Sequence, residues 1–303
     1  MPIPARRFDM LYTEQDFTVS WFAGGEVNVR LKEDVIRRFE IDDVVNLAVR
    51  VQDSDDLISA LMMADAIRKY KISIRQFNLY IPYLPYARQD RVCAKGEAFS
   101  LQVLAKVLNS QGFDKVISFD AHSVISDHLI NSFMSVSNFH FVWSVLREYD
   151  LTKEKIVLVA PDAGASKRIE LLQNYLKGIG YDYEIVYGIK TRASDGSISK
   201  HQIAGDVQNP ESKEFVVVDD ICDGGRTFVS LAKALVTFGV RKSHMHLLTS
   251  HGIYSYGQDH LKEAGYNVII STDSFMNEYT KYNIYNTFNA MLTANGQYDD
   301  IKK

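Results

Sequence analysis

Short β-rich runs alternate with helical patterns along almost the whole chain, and this alternation limits the fold more than any other feature. VVNLAVRV, FNLYI, KVISF, KIVLVA, YEIVYGI, EFVVV, HMHLLTS and NVIIS read as strands. Between them DDLISALMMADAIRKY, AFSLQVLAKVLNS, ASKRIELLQNYLKG and TFVSLAKALVTFG carry helical periodicity. The order predicts an α/β fold, with helices flanking largely parallel sheets. At 303 residues and 46% hydrophobic, the chain suits two medium cores better than one large one. The stretch FVWSVLREYDLTKEK reads as an apolar helix and then a charged turn before a new strand. It predicts a division into domains 1–148 and 149–303. The polar tail NGQYDDIKK is expected to fray, and the last residues to pack back on the first domain.

A net charge of −4 with mixed signs gives no basic footprint, so a nucleic-acid partner is not expected. No apolar run is long enough to span a bilayer, and MPIPARRFDMLYTEQDF has no apolar signal core. No membrane partner is expected. The two cysteines, Cys93 and Cys222, are far apart and lack metal-ligand spacing, which fits free thiols in a cytoplasmic setting. Cys222 reads as a small filler rather than a nucleophile, since no base is evident beside it.

Nearly every strand is followed by a polar cluster: PYARQD, DAHS, PDAGASKR, KTRASDG, DDICDGG and SHG. In open α/β sheets ligands sit beyond the carboxyl ends of strands, where these clusters fall. Polarity of loops in general explains one or two of them well and the whole series poorly.

The richest stretch is EFVVVDDICDGGRTF. Asp219 and Asp220 close an apolar run, where carboxylates can accept hydrogen bonds from vicinal ribose hydroxyls. Asp223, Gly224, Gly225, Arg226 and Thr227 then offer successive backbone N–H groups, a hydroxyl and the positive end of a following helix, an anion cradle of phosphate size. An acidic strand-to-helix turn with Asp223 as N-cap explains the bare pattern equally well. Lys190 and Arg192 begin a stretch, Thr191 to Ser199, that reads as mobile, and two cations there suit a phosphoryl group whose charge redistributes. His122 and Asp162 each follow an apolar strand and are candidates for helping to hold Mg²⁺, with Asp120 a ligand or an orienting partner. His244 and His246 alternate with apolar residues and read as strand positions on one face. In YLPYARQDR, Arg88 suits a polyphosphate, while Gln89 and Asp90 carry the groups a purine needs.

Taken in order, these blocks resemble the ribose-phosphate diphosphokinase (phosphoribosyl pyrophosphate synthetase) family. PYARQDR is similar to its ATP-binding motif, FDAHS to its Asp-x-His segment, and APDAGASKR to its Pro-Asp-Ala-Gly block. KTR falls where its catalytic loop begins, and VVDDICDGGRTF falls on its ribose-5-phosphate loop. WFAGGEVNVRL and TSHGIYSYG extend the likeness to about Phe22–Gly257. The resemblance implies two phosphoribosyltransferase-type domains and a homo-oligomer with active sites near subunit contacts. Phe22 and Glu26 would reach the adenine of ATP held by a neighbouring subunit's Arg88, Gln89, Asp90 and His122. His122 and Asp162 would hold Mg²⁺, and Lys190 and Arg192 would clamp the transferring group. Ribose 5-phosphate would meet Asp219, Asp220, Asp223, Gly224, Gly225 and Thr227. A phosphoribosyltransferase that consumes the product, and a catalytically silent regulatory homologue, are the alternatives.

The chain departs from that family's pattern at several points. Gly224 stands where a Thr is usual and Arg226 where a Gly is usual, so Arg226 reads either as a phosphate contact or loop brace, or as a solvent-facing residue. Gly24 stands where an adenine contact is usual. VQDSDDLISAL is short and RVCAKGEAFS is poor in cations, so control by phosphate and ADP is not expected.

Overall fold

The structure, a computed structural model, describes residues 11–39, 44–70, 73–151, 155–192 and 198–293, without the side chains of 37–39, 192, 198–200 and 290–293. It forms two compact units, one made of Met1–Ser137 with Asn283–Lys303 and the other of Asn138–Tyr282.

In the first unit β1 (Leu11–Thr13) is followed by the hairpin strands β2 (Phe17–Trp21) and β3 (Val27–Leu31). Next come α1 (Glu33–Phe39), β4 (Val44–Ala48), α2 (Ser54–Tyr70), β5 (Gln76–Ile81) and α3 (Ser100–Ser110). β6 (Lys115–Phe119), the short α4 (Ser126–Leu129) and β7 (Phe133–Val136) complete this run. The sheet order is β1-β4-β5-β6-β7, parallel throughout. Every residue of β4 is buried, as a strand covered on both faces requires. On α2 the buried Ala60, Met63, Ala64 and Ile67 recur at the spacing of one helix face, and Leu101, Leu104, Ala105 and Leu108 do the same on α3.

The second unit begins with α5 (Phe139–Glu148). β8 (Ile156–Ala160), α6 (Ser166–Gly178), β9 (Glu184–Arg192), β10 (Ile198–Ala204) and β11 (Glu214–Cys222) follow. Then come α7 (Arg226–Phe238), β12 (Met245–Gly252), α8 (Asp259–Ala264) and β13 (Tyr266–Thr272). The order β10-β9-β8-β11-β12-β13 is parallel except for the edge strand β10, which runs antiparallel to β9. Sequence order therefore runs outward in opposite directions from β8, and the crevice at the carboxyl ends of β8 and β11 is a topological switch point. α9 (Ile284–Thr293) belongs to the first unit. There the Tyr285 hydroxyl donates to Glu14 at 2.5 Å, the Arg50 guanidinium lies 3.9 Å from the Tyr285 ring, and the Phe288 ring is 5.0 Å from that of Tyr80.

Two local expectations change. KTR lies inside β9, so residues 190–192 are strand; residues 193–197 of the expected mobile stretch are outside the described part. His244 closes a 3₁₀ turn (Lys242–His244) just before β12 rather than sharing the strand with His246. Both imidazoles nevertheless reach one carboxylate, that of Glu214, at 3.7 and 2.8 Å.

Candidate active site

In the first unit the predicted residues collect at the carboxyl ends of β5 and β6. After β5 the chain turns through Tyr86, whose φ is +61°, and the Gln89 N–H donates to the Tyr86 carbonyl at 2.9 Å. Arg88 and Gln89 are left exposed. Asp90 accepts from the Ser123 hydroxyl at 2.7 Å and from Arg91 at 2.6 Å, which joins this turn to the segment after β6. The Arg91 hydrogen bond, with help from Ser123 and the nearby His122, lowers the Asp90 carboxyl to about 2. His122 is exposed, whereas Asp120, with φ +43°, is buried. Phe22 and Glu26 form the tip of the β2–β3 hairpin, closed by the Phe22 N–H donating to the Glu26 carbonyl at 2.9 Å. The tip leaves Trp21 and Phe22 exposed.

The second unit gathers charge at its switch point. Asp162 follows β8 and accepts from the Gly164 N–H at 3.0 Å and from the Lys190 ammonium at 2.5 Å. Burial works against ionisation of this carboxyl, but Lys190 and the amides of Gly164 and Ala165 outweigh it and lower its pKa. His201 on β10 backs the same corner, its Nε2 lying 2.9 Å from the Pro161 carbonyl. On the neighbouring β11, Asp219 and Asp220 meet Arg168, from the first turn of α6, at 3.4 and 3.1 Å. One guanidinium thus bridges two carboxylates. Burial and the Asp220 charge push the Asp219 carboxyl well up, and Asp162 adds to the rise.

Beyond Asp220 the chain passes through Cys222 and Asp223 into the Gly-Gly loop, and α7 starts at Arg226. Gly225 has φ +71°, a left-handed conformation that side chains disfavour. A Cβ there would lie 2.4 Å from His260 Nε2, so the position excludes a side chain twice over. Thr227 and Asp223 are half-buried at the loop, and Arg226 is exposed at the helix start. Burial pushes the Cys222 thiol far up, which leaves it inert as a nucleophile and agrees with its role as filler.

The structure thus groups Arg88, Gln89, Asp90 and His122 in one unit, and Asp162, Lys190, Asp219, Asp220, Asp223, Gly224, Gly225 and Thr227 in the other. Arg192 ends β9, and its side chain is outside the described part. Arg168 was missed as a site residue: it lies within PDAGASKR, but its partners are far away in sequence. No group of three or more His, Cys, Asp or Glu side chains closes on one point among the described residues. An ionised Asp162 fits a Mg²⁺ ion, which takes one or two carboxylates and completes its shell with waters and phosphate oxygens.

A chain with two parallel-sheeted units, one opening a helix with a Gly-Gly loop after paired aspartates, falls in the phosphoribosyltransferase-type α/β class. The family described as the N-terminal domain of ribose phosphate pyrophosphokinase matches residues 9–112, and the phosphoribosyl transferase domain matches residues 140–280. The putative ribose-phosphate pyrophosphokinase 2 of Streptococcus agalactiae serotype V is 30% identical over 261 residues, covering 85% of this chain and 75% of that protein. The ribose-phosphate pyrophosphokinase of Aquifex aeolicus is 30% identical over 246 residues, 79% of this chain and 72% of that one. The crystal structure of phosphoribosylpyrophosphate synthetase from Mycobacterium smegmatis shares the fold, with a TM-score of 0.73 at 20% identity over 95% of this chain and 98% of that one. The chain belongs to the ribose-phosphate pyrophosphokinase family.

Proposed function

We propose that this chain transfers the β,γ-diphosphoryl group of ATP to the 1-hydroxyl of ribose 5-phosphate, giving 5-phosphoribosyl 1-diphosphate and AMP. The observation that carries this reading is the convergence of the Asp162–Lys190 pair and the Arg168-held Asp219–Asp220 pair on adjacent strand ends, in the unit that holds the Gly-Gly loop. Asp219 and Asp220 accept hydrogen bonds from the ribose 2- and 3-hydroxyls. Asp223, the amides of Gly224 and Gly225, and Thr227 hold the 5-phosphate at the start of α7.

ATP is bound by Arg88, Gln89, Asp90 and His122, with Phe22 and Glu26 of a neighbouring subunit at the adenine, so the working form is a homo-oligomer. The first unit is accordingly the ATP domain and the second the ribose-5-phosphate domain. In the second unit Asp162 would hold Mg²⁺, which supplies charge neutralisation to the polyphosphate when bound. The ribose 1-oxygen attacks the β-phosphorus as its bond to the α,β-bridging oxygen breaks. The electron pair leaves with AMP, and the hydroxyl proton passes to solvent. Lys190 and Arg192 balance the charge on the transferring group, so catalysis rests on positioning and electrostatics with no covalent protein intermediate. No helix among the described residues is long and apolar enough to cross a membrane, and a cytoplasmic location fits a nucleotide-using enzyme.

Purified protein with ATP, ribose 5-phosphate and Mg²⁺ should form AMP and 5-phosphoribosyl 1-diphosphate in equal amounts. An absence of AMP, with and without added inorganic phosphate, overturns the reading.

A further inference from the structure

The two glycines of the sugar-phosphate loop face consecutive parts of the chain, Gly224 the segment that joins β12 to α8 and Gly225 the helix α8 itself. A Cβ on Gly224 would lie 3.0 Å from Cε2 and 3.2 Å from Cδ2 of Tyr256, and 3.6 Å from the Ser255 hydroxyl. The same construction on Gly225 meets His260 and Leu261. The segment is tied to the loop itself: the N–H groups of Ile253 and Tyr254 both donate to the Cys222 carbonyl, at 2.8 and 3.1 Å. A tight turn follows, closed by the Gly257 N–H donating to the Tyr254 carbonyl at 2.8 Å, with Tyr254 and Gly257 both at positive φ. From the far side the Asn277 side chain donates to the Gly252 carbonyl at 2.7 Å.

This scaffold buries Tyr254 and presents Tyr256 outward, 68% exposed, with one ring edge against Gly224. A ring so exposed adds little to the core, while the turn beneath it is fixed by hydrogen bonds. The edge of a phenol ring carries positive potential and its hydroxyl is a donor, properties that suit an anion's surroundings. We propose that Tyr256 is a substrate-binding residue that walls the phosphate end of the ribose 5-phosphate site, and that Gly224 lacks a side chain because this ring stands against it. The inference rests on the reading of the Gly-Gly loop as the sugar-phosphate site.

Direct titration of ribose 5-phosphate into the full-length protein tests it without requiring turnover. Tyr256→Ala should weaken binding by about tenfold, the scale of one lost charge-assisted contact. Its Tm and its KM for ATP should stay as in the wild type, because the ring is exposed. Tyr256→Phe separates the hydroxyl from the ring edge. Gly224→Ala should weaken binding alone and weaken it much less in the Tyr256→Ala background, since the clash partner is then gone. If the protein forms AMP while the titrations of wild type and Tyr256→Ala coincide, the Tyr256 assignment falls and the proposed function stands. If no AMP forms but binding still depends on Tyr256, the function falls and the assignment stands. Absence of any binding of ribose 5-phosphate to the wild type overturns both.

Discussion

Lys190 donates to Asp162 across 2.5 Å, which ties the carboxyl end of β9 to the loop after β8. The pair holds the cation in place before substrate arrives and keeps the carboxyl ionised despite its burial. Binding of a triphosphate gives Lys190 an anion to compete with Asp162, so the ammonium has two alternative partners.

Lys190→Ala should therefore lower kcat by about 10²–10³-fold and leave both KM values within a few-fold, the pattern of an interaction made in the transition state. An equal loss of substrate binding would contradict this role. In the same variant burial acts on Asp162 unopposed by the ammonium, so the carboxyl titrates higher and the acid limb of the rate profile moves to higher pH.

Asp219 yields a prediction of opposite sign for stability and activity. Its folded-state pKa is raised, so the native chain binds more protons than the unfolded one between the ordinary carboxylate range and that raised value. Stability falls as pH rises through this window. Asp219→Asn removes the effect and leaves Arg168 paired with Asp220. Differential scanning calorimetry at pH 7.5 should show a Tm raised by ~2–4 °C per kcal/mol gained, while AMP formation drops by an order of magnitude or more.

The strands that carry the site were legible because β8 and β11 are apolar along most of their length and end in distinctive polar blocks. Helices α2, α3, α6 and α7 showed their buried faces through simple spacing. β1, β7 and the hairpin β2–β3 were not expected, being short or solvent-facing, and β10 pairs only at an edge. Arg168 escaped assignment because its meeting with Asp219 and Asp220 depends on the packing of α6 against the sheet. Tyr256 was invisible for the same reason: its neighbour Gly224 is remote in sequence, and only the turn at Tyr254–Gly257 brings them together.

Gly225→Ala should be costly in two ways. A left-handed conformation costs a side chain about 1–2 kcal/mol, and the new Cβ would also have to displace His260 and Leu261. Urea unfolding should show a lower midpoint, and KM for ribose 5-phosphate should rise. Shrinking the neighbour with His260→Ala in the same chain should recover part of the midpoint but not the conformational part.

The cysteines should differ sharply in reactivity. Cys93 is exposed, whereas Cys222 is fully buried with its thiol pKa pushed up. Iodoacetamide at pH 8 should modify Cys93 alone in the native protein and both residues in urea, read by intact mass. AMP formation should survive the native-state modification; its loss would assign Cys93 a part in the site.

Acid sensitivity should begin with histidines rather than carboxylates. Burial lowers the pKa of His140, His201 and His246. His201 is opposed in this by the Pro161 carbonyl and Asp162 and assisted by Lys190, and His246 is opposed by Glu214 and assisted by His244. A depressed folded-state pKa means that the unfolded chain binds more protons, so stability is full above the ordinary histidine range and is lost as pH falls through it. The Asp162 contribution has the same sign but is lost only in the carboxylate range, well below. In an Asp219→Asn background, which removes the opposite slope of that raised carboxyl, urea midpoints should thus stay level from pH 8 to about 7 and decline between about pH 6.5 and 5. His246 and Glu214 line a cavity of about 340 Å³ with Tyr149 and Asn267, at the strand ends opposite the site. His246→Gln should therefore flatten the decline by one group's share without changing KM for either substrate, whereas His201→Gln, beside Lys190 and Asp162, should also alter the pH dependence of kcat.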